Sequence, residues 1–310
     1  MIKNHILVTT YSNPDLDGIA CAVAYAEFLQ KKNQNAEAAF FGILHQEAYF
    51  VLRTFAMPQP EDAEKILLKN PNIILVDASN IRGIAHKINP LKVIEIIDHR
   101  KINQSTSFLN AKVQIELVGS AATLVAEKFF YQNVVISMAS AALLYSAIIS
   151  NTANFQANVT TDRDKKMAQW LLTFFSLPKN YVHDMFAAKS VFKESLIDTI
   201  SNDFATLVFN GTKIGIGQLE IVNVENFVNS QLENIRTILK TIKTEKELDI
   251  IFLSIIDLEK AKNTFLAIDE PTKTLLECNL GVVFNKNIAE KEGIMMRKTI
   301  VPLLSDNFQK

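Results

Sequence analysis

The chain has 310 residues, 48% of them hydrophobic, and 32 Lys and Arg against 33 Asp and Glu give a formal net charge of -1. So near-neutral a chain lacks the basic field that attracts nucleic acid or an anionic membrane surface, and its length suits one large or two ordinary domains. Cys21 and Cys278 show no zinc-knuckle spacing and read as reduced core residues, which fits a cytoplasmic location. The start, "MIKNHILVTTYSNPD", meets Asn and Pro too early for a signal peptide. The longest apolar stretch, residues 136–149, carries three serines and is too short to span a bilayer.

In chain order, strand-like runs at 6–8, 38–41, 73–76 and 93–97 alternate with helical patterns at 19–31, 47–54 and 84–88. This alternation predicts an α/β domain with a mainly parallel sheet and helices on its faces. A run at 113–117 comes next, then a mostly helical region over 120–187, in which Ser120 is placed to cap a helix over 121–131. After about 189 the pattern changes. "ATLVFNGTKIGIGQLEIV" reads as a hairpin turning at Asn210-Gly211, and a polar-faced helix over 224–247 follows. Strands at 250–256 and 264–268, a short helix near 272–278 and final strands around 281–284 and 300–304 complete a smaller α+β unit. The expected domains are therefore 1–188 and 196–310.

Three runs of the first domain end on acids: "ILVTTYSNPDLD" leads to Asp15 and Asp17, "IILVDAS" to Asp77, and "VIEIIDHR" to Asp98 and His99. One Asp after a strand is often a turn former or a helix cap. Three strands ending alike are harder to explain so, and ligands of open parallel sheets bind beyond the carboxyl ends of the strands. Neighbouring strands would gather four carboxylates and an imidazole on one rim, a cluster that stays ionised only with cations to balance it. Carboxylate oxygen suits hard divalent ions, and a His shifts the preference toward manganese, iron or zinc. Two such ions can clamp a phosphoryl group for in-line hydrolysis.

"NPDLD", "VDAS", "IIDHR" and "LVGSAATLV" together resemble the DHH phosphoesterase superfamily, and most closely the manganese-dependent family II inorganic pyrophosphatases. The likeness runs on through "LLYSAIISNTANFQANVTTDRD", "IGQLEIVNVENF" and "MMRKTIVPLL", so it spans nearly the whole chain. It implies a DHH metal-binding domain, a smaller C-terminal substrate-binding domain, and an active site in the cleft between them. By likeness Asp15, Asp17, Asp77 and His99 bind metal, with Asn151 as a further ligand through its carbonyl. Asp98 and Arg100 are the catalytic positions, and Arg100, Arg297 and Lys298 grip phosphate.

The chain departs from the family pattern at four places. Tyr11 stands where the family has a metal-binding His, Arg100 where it has the second His of DHH, Asn151 where it has an Asp, and Ala205 where a phosphate-binding Lys follows the Asp matched by Asp203. Neutral Tyr is a poor metal ligand, and Asn151 brings no charge. Arg100 cannot serve as a base but can hold phosphate in bidentate fashion, and a DHR triplet also resembles the exopolyphosphatase and prune-like branch. The resemblance thus implies a metal-dependent phosphohydrolase acting on pyrophosphate or another phosphoanhydride or phosphoester, with one or two Mn2+ or Mg2+ ions. Alternatives are an exopolyphosphatase-like or phosphodiesterase activity, or a catalytically impaired homologue that binds anions or regulates. The expected partner is a small phosphate-containing substrate, with neither membrane nor nucleic acid, and family likeness allows a homodimer through an edge strand of the first domain.

Overall fold

A computed structural model describes residues 5–84, 86–192 and 194–305. The chain forms two compact units: the first runs up to Phe155 and includes Val159–Ala188, and the second comprises Gln156–Asn158 and the chain from Lys189 onward.

The first unit alternates strand and helix. Its elements are β1 (Ile6–Thr9), α1 (Leu16–Lys31), β2 (Ala36–Phe40), α2 (Gln46–Thr54), β3 (Glu61–Asp62), α3 (Ala63–Leu67), β4 (Asn72–Val76), β5 (Val93–Asp98) and β6 (Lys112–Ile115). Helices α4 (Ala121–Tyr131), α5 (Met138–Asn151), α6 (Asp162–Leu171) and α7 (Tyr181–Lys189) follow. The six strands pair in the order β3-β2-β1-β4-β5-β6, every pair parallel. The central strands are apolar on both faces because helices cover both. Leu7, Ile73, Leu75 and Ile96 pack with Ala63 and Ile66 of α3 on one side. The alternate residues point the other way, where α1 and α4 lie against β1, β4 and β5. Since β1, β4 and β5 are adjacent, the segments that follow them meet at one rim. The helical pattern expected at 84–88 is corrected: a short 3-10 turn at Ile81–Gly83 precedes irregular chain, and Ile84 and Ile88 pack individually into the core.

The second unit comprises α8 (Leu196–Asn202), β7 (Phe204–Phe209), β8 (Thr212–Ile221), α9 (Val224–Glu245), β9 (Ile250–Asp257), β10 (Lys262–Ala267), α10 (Glu270–Leu280), β11 (Ile288–Glu292) and α11 (Arg297–Ser305). Its mixed sheet has the order β11-β10-β9-β8-β7, with only β8 and β9 parallel. The turn at Asn210-Gly211 has φ of 47 and 84°, the pair of left-handed residues that a two-residue hairpin loop prefers. Helix α9 joins the two parallel strands and buries Val228, Ile235, Leu239 and Ile242 along one stripe.

Two expected strands are corrected in this unit. Residues 281–284 form no strand, and the edge is β11 instead. Residues 300–304 are helical, because Ile300 and Leu304 lie four apart and both enter the core on one face of α11. Cys278 is exposed while Cys21 is buried. It lies away from the Thr272, Leu276 and Leu280 face of α10, so it is no core residue.

Helical packing of α11 has a direct test in denaturant unfolding. Ile300→Ala and Leu304→Ala should each lower the stability of the second unit by about 2–5 kcal/mol, whereas Leu303→Ala, on a partly exposed position, should cost less than about 1 kcal/mol. Strand alternation would bury Pro302 on the same face as Ile300 and Leu304, whereas Pro302 is exposed.

Candidate metal centre

Three loops at the carboxyl ends of adjacent strands build the centre. After β1, Asp15 caps α1, its Oδ1 accepting from the Gly18 N–H at 3.0 Å. A Cβ on Gly18 would stand 2.7 Å from the Thr10 side chain, so glycine lets the first turn of α1 sit tightly on the strand end. Asp17, in that turn, is fully buried. After β4, Asp77 adopts φ +50°, a left-handed conformation that Asp tolerates better than most residues, and its N–H donates to the Ile97 carbonyl at 2.8 Å. Asp98 ends β5, and His99 and Arg100 follow it.

Asp17 is surrounded by donors. Ser120 Oγ and the Ala122 N–H donate to Oδ1 at 2.8 and 2.9 Å, and the Ala121 N–H donates to Oδ2 at 2.9 Å. The carboxylate therefore sits on the amino end of α4, where the helix dipole favours an anion. The turn that presents this end is held by Asp164, which accepts the Gly119 N–H at 2.9 Å and the Thr123 hydroxyl at 2.5 Å. Gly119 has no room for a side chain: a Cβ would approach Thr152 to 2.5 Å. Asn151 donates its Nδ2 to Asp17 Oδ2 at 2.5 Å, so its amide nitrogen, not its carbonyl, faces the acid.

Asp98 accepts from the Ser79 hydroxyl and from the His99 N–H, the latter at 2.7 Å. Arg100 bridges the neighbouring acids. Its Nη2 lies 3.1 Å from Asp77 Oδ1, its Nη1 lies 3.4 Å from Asp98, and Nη1 also donates to the Asp77 carbonyl. The guanidinium carbon lies over the Tyr11 ring, 5.6 Å from its centre, and the Tyr11 hydroxyl accepts the Asp15 N–H at 3.2 Å.

Burial and the nearby charges of Asp77 and Asp15 push Asp17 up to about 7, against the opposing pull of His99 and Ser120. Burial also raises Asp77, partly offset by Arg100 and His99. For Asp15 burial acts upward, but His45, the Gly18 N–H, Tyr11 and Arg100 together bring it below the usual carboxylate range. Enclosure and the neighbouring Asp15 and Asp77 hold Tyr11 well above its ordinary value, so it stays a neutral phenol.

These residues fit a divalent cation. His99 Nδ1 donates to the Val118 carbonyl at 2.9 Å, which fixes the tautomer and leaves the Nε2 lone pair toward Asp77 Oδ1 (3.5 Å) and Asp17 Oδ2 (4.0 Å). Asp77 Oδ1 is buried and, beyond its ion pair with Arg100, accepts no hydrogen bond. One ligand atom each from Asp17, Asp77 and His99 lies within 4.8 Å of the others, and all three residues are buried. Two carboxylates and an imidazole are a donor set for manganese or zinc rather than for a soft ion.

Of the positions named from sequence, the structure brings together Asp17, Asp77 and His99, with Asp98 and Arg100 alongside. Asp15 and Asn151 take part as a helix cap and as a donor to Asp17. Arg297 and Lys298 lie in the first turn of α11 in the second unit. There Arg297 donates to Asp203 Oδ1 at 2.5 Å and to the Asp203 carbonyl at 2.9 Å, and its N–H donates to Gln218 at 2.7 Å. Sequence reading missed the partners Ser79, His45 and Asp164. It took Ser120 for a simple helix cap.

Two family descriptions match the chain: the DHH family, N-terminal domain, over residues 5–148, and the DHHA2 domain over 183–307. A manganese-dependent inorganic pyrophosphatase of Methanocaldococcus jannaschii is 34% identical over 96% of this chain and 97% of its own length. A probable manganese-dependent inorganic pyrophosphatase of Bacillus mycoides is 29% identical over 98% and 99%. The crystal structure of a Methanococcus jannaschii family II inorganic pyrophosphatase superposes with a TM-score of 0.78 at 33% identity, covering 98% of this chain and all of that one. The chain belongs to the DHH family, among relatives that are manganese-dependent family II inorganic pyrophosphatases. Among the described residues, no helix is long and apolar enough to cross a membrane.

Asn151→Asp would place a carboxylate against Asp17 and remove a donor. In chelator the variant should lose about 1–3 kcal/mol of stability, and Mn2+ should stabilise it by more than it stabilises the parent. Equal melting of the two proteins in chelator would show that the Asn151 amide does not hold Asp17.

Proposed function

We propose that this chain is a metal-dependent phosphohydrolase whose first substrate is pyrophosphate. The observation that supports it most is the buried Asp17–Asp77–His99 donor set with the guanidinium of Arg100 beside it. Such a rim offers a cation for phosphate oxygens next to a permanent second cation. The ion would be held by Asp17, Asp77 and His99, with manganese first, by its relatives, and magnesium second. When bound, it would polarise the phosphoryl group and lower the pKa of water.

The chain's own residues would do the rest. Arg100, whose side chain is 34% exposed, would hold phosphate oxygens through its free N–H groups. A cavity of about 420 Å³ lined by Tyr11, Ser12, Ser79, Asn80 and Arg100 adjoins it and gives the phosphate a place to enter. Asp98, fixed by Ser79 and the His99 N–H, would keep Arg100 aimed. Asp15 and Asn151 would act on the ion indirectly, by setting the charge and orientation of the Asp17 loop. In the second unit, Arg297 and Lys298 would grip phosphate, with Arg297 steadied by Asp203 and Gln218.

The neutral Tyr11 and the Asn151–Asp17 bond support a second reading, an anion-binding homologue without turnover. Release of phosphate from pyrophosphate and tripolyphosphate, and of mononucleotides from dinucleotides, measured with Mn2+ and Mg2+, separates the two. Pyrophosphate hydrolysis stimulated by Mn2+ is the expected result. Asp77→Asn should lower it by at least about 100-fold, since loss of a mere supporting residue already costs about 10–100-fold. No release from any of the three would sink the enzymatic reading.

A further inference from the structure

We propose that Arg100 does the work of a second metal ion, so that this centre loads a single divalent cation. The inference rests on the metal-dependent reading above and specifies how the site is charged.

The geometry is that of a cation built into the chain. The guanidinium lies 3.1 Å from Asp77 Oδ1 and 3.3 Å from Oδ2, and 3.4 Å from both oxygens of Asp98. It bridges two buried carboxylates as an ion would. Tyr11 fixes it: the ring lies under the guanidinium, while the Tyr11 hydroxyl is tethered by the Asp15 N–H. What remains for a mobile ion is the space that Asp77 shares with Asp17 and with His99 Nε2, which lies 3.5 Å from Asp77 Oδ1. Among the described residues, Asp17, Asp77 and His99 are the one set of three ligand groups close enough to hold an ion.

Charge gives the same count. Asp15, Asp17, Asp77 and Asp98 bring about -4 when ionised. The amino ends of α1 and α4, each worth about +0.5, face Asp15 and Asp17. Arg100 adds +1 and cannot lose its proton. About -2 is left, which one divalent ion balances. A second ion would leave an excess of about +2 in a buried site, and Asn151 supplies no further anion to receive it.

The test is the protein saturated with Mn2+ and freed of loosely held metal. Elemental analysis should give one manganese per chain, and electron paramagnetic resonance the six-line spectrum of an isolated Mn2+. In chelator, Arg100→Gln should melt several degrees below the parent, because the acids lose their permanent cation, and Arg100→Lys should recover part of the difference. Two tightly held ions per chain with an exchange-coupled spectrum would overturn the inference and leave the phosphohydrolase reading standing. No bound manganese at all would overturn both. Unchanged melting of Arg100→Gln in chelator would overturn the role given to Arg100 whatever the metal count.

Discussion

Three carboxylates, Asp17, Asp77 and Asp98, are almost completely buried at the carboxyl ends of adjacent parallel strands, and the surrounding structure is organised by the cost of keeping them there. Buried anions are tolerated only where donors and cations meet them. Each acid has a different answer. Asp17 is placed on the amino end of α4, Asp98 takes a hydroxyl, a backbone N–H and a guanidinium, and Asp77 keeps one oxygen without a hydrogen bond. The least satisfied acid is the one placed between His99 and Arg100, which is where a cation has most to gain.

That arrangement reaches well beyond the rim. The amino end of α4 faces Asp17 only because Asp164, from the start of α6, ties down Gly119 and Thr123. Asp164 is itself held in a capping box with Thr161. A chain of short-range contacts thus runs from α6 to α4 to α1. Changing Gly119 or Asp164 would move an anion receptor rather than a ligand, so such positions are positioning residues for the centre.

Much of this was legible in the sequence, for identifiable reasons. Apolar runs ending in Asp gave the strands and their shared rim, because a parallel sheet puts successive strand ends on one side. Asn210-Gly211 announced its hairpin through backbone preference alone. The failures came where local and tertiary signals diverge. Residues 300–304 were expected as a strand, yet Ile300 and Leu304 enter the core while Pro302 between them is exposed, a helical and not an alternating pattern. For Asn151 the sequence alone does not fix how the amide is turned. Either end of an amide can face a neighbour, and only the Asp17 oxygen beside it selects the donor end.

Tyr11 and Arg100 act as one unit at the rim. Without Arg100, Tyr11 would leave Asp77 and Asp98 without their shared cation. An arginine alone would set a flexible guanidinium beside Asp77 with nothing beneath it. In the pair the guanidinium lies over the ring, and the tyrosine hydroxyl takes the N–H of Asp15, so the pair links the β1 loop to the β5 loop across the rim. A partly exposed guanidinium over an aromatic face is worth about 0.5–1 kcal/mol, a modest gain in itself. Its larger effect is to hold a permanent positive charge at a fixed distance from Asp77. A centre built in this way cannot be fully discharged by removing metal, and it would meet an incoming phosphate with a cation already in place.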